Sequence, residues 1–209
     1  MLKKLASCLL LAILLAQSAL AAEKRILVFG DSLSAGFGIA VRDSWPALLG
    51  QRLQQQGSAF AVANASISGE TTAGGRSRFA AALSQFKPEV VVLALGANDG
   101  LRGLPVAAMK ENLLTMVKQA KKQGVRVLLV GMRLPPNYGA QYTADFDAAY
   151  RDLARREKTA LLPFLLEPIA LDRDAFQADG LHPTAAVQPK IADHVWAALK
   201  PLLEVKREK

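Results

Sequence analysis

Five short apolar runs punctuate the chain, at Arg25 to Phe29, Phe60 to Ala65, Val90 to Leu95, Val125 to Val130 and Ala160 to Phe164. Each is apolar continuously rather than at alternate positions, which is the pattern of a strand covered on both faces. Between the runs the apolar period lengthens. Trp45, Leu48, Leu49 and Leu53 follow helical spacing, with Ser44 as the N-cap and Pro46 tolerated in the first turn. Phe79, Ala82, Leu83 and Phe86 make a second stripe, and Leu113, Met116, Val117 and Ala120 a third. Phe146, Ala149, Tyr150 and Leu153 make a fourth, and Val187, Ile191, Val195, Ala198 and Leu202 the last. Strand and helix thus alternate five times. A parallel strand needs a crossover and a helix is the usual one, so the order predicts a five-stranded parallel sheet between two helical layers. This is a three-layer α/β/α domain of the α/β class, with its chemistry expected beyond the carboxyl ends of the strands.

Composition narrows the class without changing that picture. Of 209 residues 51% are apolar and 21% charged, too apolar for a disordered chain. Past the N-terminus no apolar run approaches the roughly 20 residues of a bilayer span. The length suits one domain with one core.

The N-terminus reads differently. Met1 to Lys4 carries two positive charges, Leu5 to Ala16 is a short apolar stretch, and Ala19-Leu20-Ala21 places small residues where a signal peptidase reads. Residues 1–21 are therefore expected to be a cleaved secretory leader and residues 22–209 the single folded domain, in the periplasm of a Gram-negative bacterium or secreted. Leu5-Ala6-Ser7-Cys8 resembles a lipidation signal but precedes the apolar stretch, so it is read as chance. Cleavage removes Cys8, the one cysteine, leaving a body held by packing alone. It also removes Lys3 and Lys4, taking the formal charge from +8 to +6. That excess is a weak bias toward anionic surfaces such as phospholipid headgroups, so a transient contact with an anionic membrane is expected. There is no Lys/Arg block of the kind that would signal nucleic acid, and no nucleic-acid partner is expected.

The segments just past the runs hold the polar motifs. They are Gly30-Asp31-Ser32-Leu33-Ser34, then Asn64-Ala65-Ser66-Ile67-Ser68-Gly69-Glu70, then Gly96-Ala97-Asn98-Asp99-Gly100, and finally, past the fifth run and a short irregular stretch, Asp179-Gly180-Leu181-His182-Pro183. A serine hydroxyl is a poor nucleophile until a base takes its proton, so Ser32 needs an imidazole. After the leader the chain offers His182 and His194. His194 falls inside the last helical stripe, where a structural role is expected. His182 sits in a turn three residues after Asp179, whose carboxylate can orient the ring through Nδ1 and leave Nε2 free. The amides of Ser32 and Gly69 and the side chain of Asn98 are candidate donors to an oxyanion. Taken singly, Gly69 and Asn98-Asp99-Gly100 are ordinary turn chemistry, and Asp31 or Ser34 could cap a helix. Their succession at four strand ends points to a site. Two histidines and no cysteine make no metal cluster, and no cofactor is expected.

These four blocks resemble those of the SGNH (GDSL) hydrolases, along the whole of residues 22–209. Within that family Asn64 to Gly69 and Leu134-Pro135-Pro136-Asn137-Tyr138-Gly139 are similar to the bacterial periplasmic group of thioesterases, lysophospholipases and arylesterases. Glu70 stands where relatives commonly carry Asp. The resemblance implies a flavodoxin-like sheet, with Ser32 as nucleophile, His182 as base, Asp179 as its orienting acid, and Ser32, Gly69 and Asn98 as the oxyanion hole. It further implies a loop over the acyl site from Gly100 to Pro105, with Leu101 and Leu104, and an acyl channel along Pro136, Asn137 and Tyr138. Phe37, Leu101, Leu104 and Tyr138 suit an acyl groove and suit loop packing equally. The expected substrates are small acyl esters, thioesters and lysophospholipids, turned over by a monomer. A carbohydrate O-acetyl esterase with the same triad is the alternative within the family. An α/β-hydrolase is disfavoured because Gly30-x-Ser32-x-Ser34 is not the Gly-x-Ser-x-Gly elbow. A nucleotide-binding module is disfavoured too, because Gly36-Phe37-Gly38 is followed by no Gly-Lys-Ser/Thr.

Overall fold

The computed structural model describes residues 23–204. The expected leader, residues 1–21, and the basic tail Lys206-Arg207-Glu208-Lys209 lie outside the described residues. Five strands form one sheet: β1 (Lys24–Gly30), β2 (Phe60–Asn64), β3 (Val90–Ala94), β4 (Arg126–Val130) and β5 (Ala160–Leu162). Every pairing is parallel and the order is β2-β1-β3-β4-β5, the flavodoxin-like order. The winding direction reverses between β1 and β3. The loops leaving those two strands diverge to opposite faces and open a crevice between them.

The continuous apolar runs are explained by which face each residue serves. Ile26, Val28, Val90 and Val92 point into one core, closed by α2 (Trp45–Gln55) and α7 (Gln188–Glu204). Their neighbours Leu27, Phe29, Val91 and Leu93 point into a second core. That one is closed by α3 (Thr72–Phe86), α5 (Val106–Lys122) and α6 (Ala140–Glu157). A sheet buried on both sides has no polar face, so alternation disappears from the sequence. Two short helices, α1 (Ser32–Ala35) and α4 (Ala97–Leu101), sit in the loops after β1 and β3 and carry no apolar stripe that would announce them.

Two local expectations differ from the structure. The fifth run ends as a strand at Leu162 rather than Phe164, because Pro163 lacks the N–H that would continue the ladder. The chain crosses over instead, with Leu165 N donating to Gly131 O at 3.0 Å. Ser44 does occupy the N-cap of α2, but its hydroxyl turns back to Val41 O at 2.7 Å. The cap is supplied from 143 residues away: the buried Trp45 amide donates to Gln188 Oε1 at 2.9 Å, joining the first turns of α2 and α7.

The far-side cap carries a stability test. Gln188→Leu strands a buried amide and is expected to lower stability by about 1–3 kcal/mol in urea denaturation. Ser44→Ala, at the formal N-cap, is expected to cost less.

Candidate active site

Ser32 is placed by the turn that ends β1. Gly30 lies so close to β3 that a Cβ there would come 2.9 Å from Ala94 O, and only glycine leaves room for the chain to bend over the sheet. Asp31 then caps α1 by accepting from Leu33 N at 3.1 Å, and Gly36, at φ 80°, ends that helix after one turn. The Ser32 side chain is thereby held at the mouth of the crevice.

His182 meets it from the opposite end of the sequence. Its Nε2 is 2.8 Å from Ser32 Oγ, and its Nδ1 is 2.7 Å from Asp179 Oδ2. With Nδ1–H donated to Asp179, Nε2 accepts from the serine hydroxyl. The other oxygen of Asp179 accepts the backbone amides of Leu181 (2.9 Å) and His182 (3.0 Å). Those amides, with the imidazole bond, hold the Asp179 carboxyl down at about 2, so it is ionised at neutral pH. The loop is braced by Gln177, whose side-chain amide donates to Phe37 O at 2.8 Å and Pro183 O at 3.1 Å. The Phe37 ring lies 4.4 Å from the His182 ring. His194, on α7, is elsewhere, with Nε2 3.0 Å from Phe164 O.

Gly69 and Asn98 come to the same crevice and are tied to each other. Asn98 Nδ2 donates to Glu70 O at 3.0 Å, and Arg102 Nη2 donates to Gly69 O at 3.0 Å. Asp99, buried beneath them, accepts from the amide and hydroxyl of Thr72 at 2.8 and 2.5 Å. The β2–α3 loop and α4 are therefore fixed as one unit. Glu70, the departure noted in the sequence, pairs with Arg78 Nε, and Arg78 donates to Ala65 O at 2.8 Å. Its longer side chain braces the loop from behind and does not enter the crevice lining.

Ser32, Gly69, Asn98 and His182 all line one cavity of about 710 Å³. Its apolar wall includes Leu101, Leu134, Pro136, Phe164, Leu166 and Phe176. Of the residues expected at an acyl site, Phe37, Leu101 and Pro136 are in the lining, while Leu104, Asn137 and Tyr138 are not. The reason for Tyr138 is visible: its hydroxyl donates to Leu101 O at 3.2 Å, so it supports the loop from outside. Leu104 likewise offers its carbonyl to Tyr142, at 2.7 Å. The stretch from Phe164 to Phe176, which closes the far wall, carries no motif in the sequence. Its apolar residues follow no period, and the one clue is that it leaves β5 at the same edge as the other motifs. All six large exposed apolar side chains among the described residues, fully exposed Leu171 included, lie on loops of this edge.

One buried acid here titrates out of place. Asp31 is 2% exposed, and desolvation raises its carboxyl to about 7 against the pull of the Leu33 amide and His182. A carboxyl raised by folding contributes most below its unfolded pKa of about 4, and that contribution is lost as pH climbs through about 7. Asp31→Asn keeps an oxygen to cap Leu33 N. It is expected to flatten the fall in stability between about pH 4 and 7, read as urea midpoints across that range.

Residues 28–188 match the GDSL-like lipase/acylhydrolase family. The esterase TesA of Pseudomonas aeruginosa is 47% identical over 199 residues, 95% of this chain and 98% of that protein. Thioesterase 1/protease 1/lysophospholipase L1 of Escherichia coli is 41% identical over 183 residues, 88% of this chain and 86% of that protein. The crystal structure of the psychrotrophic esterase EstA from Pseudoalteromonas sp., inhibited by monoethylphosphonate, superposes with a TM-score of 0.83 at 37% identity. It covers 87% of this chain and 100% of that one. With its crevice, its sheet order and its sequence all in agreement, this chain belongs to the GDSL-like lipase/acylhydrolase family.

Proposed function

We propose that the protein is a serine hydrolase of carboxylic esters and thioesters with apolar acyl groups, lysophospholipids among them. The observation that carries this is the unbroken chain Ser32–His182–Asp179, at 2.8 and 2.7 Å, opening into an apolar cavity. His182 Nε2 takes the hydroxyl proton as Ser32 Oγ bonds to the acyl carbon, and the carbonyl electron pair moves onto oxygen. That oxyanion is received by the amides of Ser32 and Gly69 and the side chain of Asn98. Collapse expels the alcohol or thiol, which leaves with the proton from His182, and Ser32 retains the acyl group. Water, deprotonated by the same imidazole, then attacks the acyl-enzyme, releasing the carboxylic acid and returning the proton to Ser32. Asp179, ionised throughout, holds the ring and stabilises the imidazolium.

The extent of the apolar wall favours acyl chains longer than acetyl, with Leu101 and Pro136 as contact residues. Tyr138 and Leu104 act on the acyl site through the loop they support, and Asn137 next to Pro136 belongs to the same rim. The reading includes export: residues 1–21 act as the leader and the folded domain works as a monomer in the periplasm or outside the cell.

Ser32→Ala is expected to abolish ester turnover and labelling by a fluorophosphonate while leaving the thermal midpoint unchanged; retained turnover removes Ser32 from its role. Asn98→Ala should lower kcat by roughly 10²–10³ with a much smaller change in KM, because an oxyanion donor acts mainly in the transition state. A scan of p-nitrophenyl esters should show turnover that rises from acetyl to medium chains. Activity confined to acetyl esters would instead favour the carbohydrate O-acetyl esterase.

A further inference from the structure

Each helix that follows a strand runs back to the opposite edge of the sheet, where the next strand begins. That edge comprises residues 23–25, 56–59, 87–89, 121–126 and 155–159, which carry nine Lys or Arg against three Glu. The segments leaving the strands, residues 31–44, 65–71, 95–105, 131–139 and 163–187, carry four Arg against eight Asp or Glu. The molecule is therefore polarised along its strands, basic at the end remote from the cavity.

Two of the three glutamates at the basic edge are engaged. Glu89 is 3.1 Å from Arg126 and 3.9 Å from Lys24, and Glu157 is 3.7 Å from Lys121. Lys87, Lys122 and Lys158 are exposed and form no ion pair among the described residues. Helix macrodipoles attract cations to this edge and explain charge at helix ends in general. They do not explain the backbone under two of these lysines. The chain leaves α2 and α5 through Gly57 (φ 61°) and Gly124 (φ 71°), as left-handed geometry favours. It leaves α3 and α6 through Lys87 (φ 45°) and Lys158 (φ 49°), the two non-glycine residues in that region among those described. A long cationic side chain is presented to solvent where glycine would fit with less strain.

Both ends of the described segment lie at this edge. Residue 23 enters the fold here, two positions beyond the expected cleavage after Ala21. Residues 205–209, with Lys206, Arg207 and Lys209, continue from α7, whose Leu202 carbonyl is bonded by Arg126 at the start of β4.

We propose that this basic edge docks on an anionic lipid surface and turns the cavity mouth away from it. The choice of lipid over another polyanion rests on the export reading above. On that reading residues 1–21 precede β1 in the sequence and Lys24 opens it at this edge, and each cation near an anionic leaflet adds to the attraction. Docked this way, the protein draws its substrates from the aqueous side.

The test is sedimentation of the exported protein with vesicles of phosphatidylcholine alone or mixed in equal parts with phosphatidylglycerol, at low and high salt. Binding is expected to the anionic vesicles only and to fall with added salt. The triple variant Lys87→Gln, Lys122→Gln, Lys158→Gln should bind them at least about tenfold more weakly, with ester turnover in solution unchanged. Leu171→Asp, at the opposite edge, should retain vesicle binding. Equal binding to neutral vesicles, an unchanged affinity in the triple variant, or loss of binding in Leu171→Asp overturns the proposal. So does a tighter salt-sensitive complex with duplex DNA than with vesicles. Ester turnover in the same samples reports on the hydrolase reading alone, so failure of one leaves the other legible.

Discussion

Parallel pairing is the constraint from which the rest of this molecule follows. Once every strand runs the same way, each connection must cross back outside the sheet, and all strand exits share one edge. Four polar segments separated by up to 150 residues are thereby neighbours before any side chain is chosen. The reversal of winding between β1 and β3 then decides where along that edge the gap opens. Ser32 and Asn98 sit on its two lips because they follow those two strands.

Within the gap, the polar groups hold one another in place. Asp179 accepts two amides from its own loop as well as the imidazole, so the His182 ring and the backbone that carries it are oriented by one carboxylate. Asp99 and Glu70 do the same for the opposite wall, through Thr72 and Arg78. Asp31 is different. It caps the one-turn helix of Ser32 from a position with almost no access to water, which places a weakly acidic carboxyl in the residue next to Ser32.

Much of this is legible in the sequence because it is governed by period and by position relative to the strands. Leu113, Met116, Val117 and Ala120 share one helical stripe and are all fully buried. The motifs beginning at Gly30 and Gly96 each start where an apolar run stops, and the one beginning at Asn64 overlaps the end of its run. What escapes the sequence depends on contacts between remote segments. Gln188 caps α2 only because α7 packs beside it, and nothing around Ser44 betrays that its hydroxyl is already engaged. The wall from Phe164 to Phe176 follows no repeat, since a cavity lining obeys shape rather than a regular element. Tyr138 is apolar enough to suggest a channel, yet its hydroxyl is drawn to a backbone carbonyl and its ring goes with it.

The aromatic ring of Phe37, half-exposed and tilted 37° to the imidazole, gives His182 a second partner beside Asp179. Neutral, His182 gains only dispersion from that contact. With both nitrogens protonated it becomes a cation beside a π face, an attraction of about 0.5–1 kcal/mol at an exposed position. On the proposed mechanism that attraction exists only while His182 holds the proton of Ser32, so Phe37 would favour the charge-separated stage and leave the neutral ring unaffected.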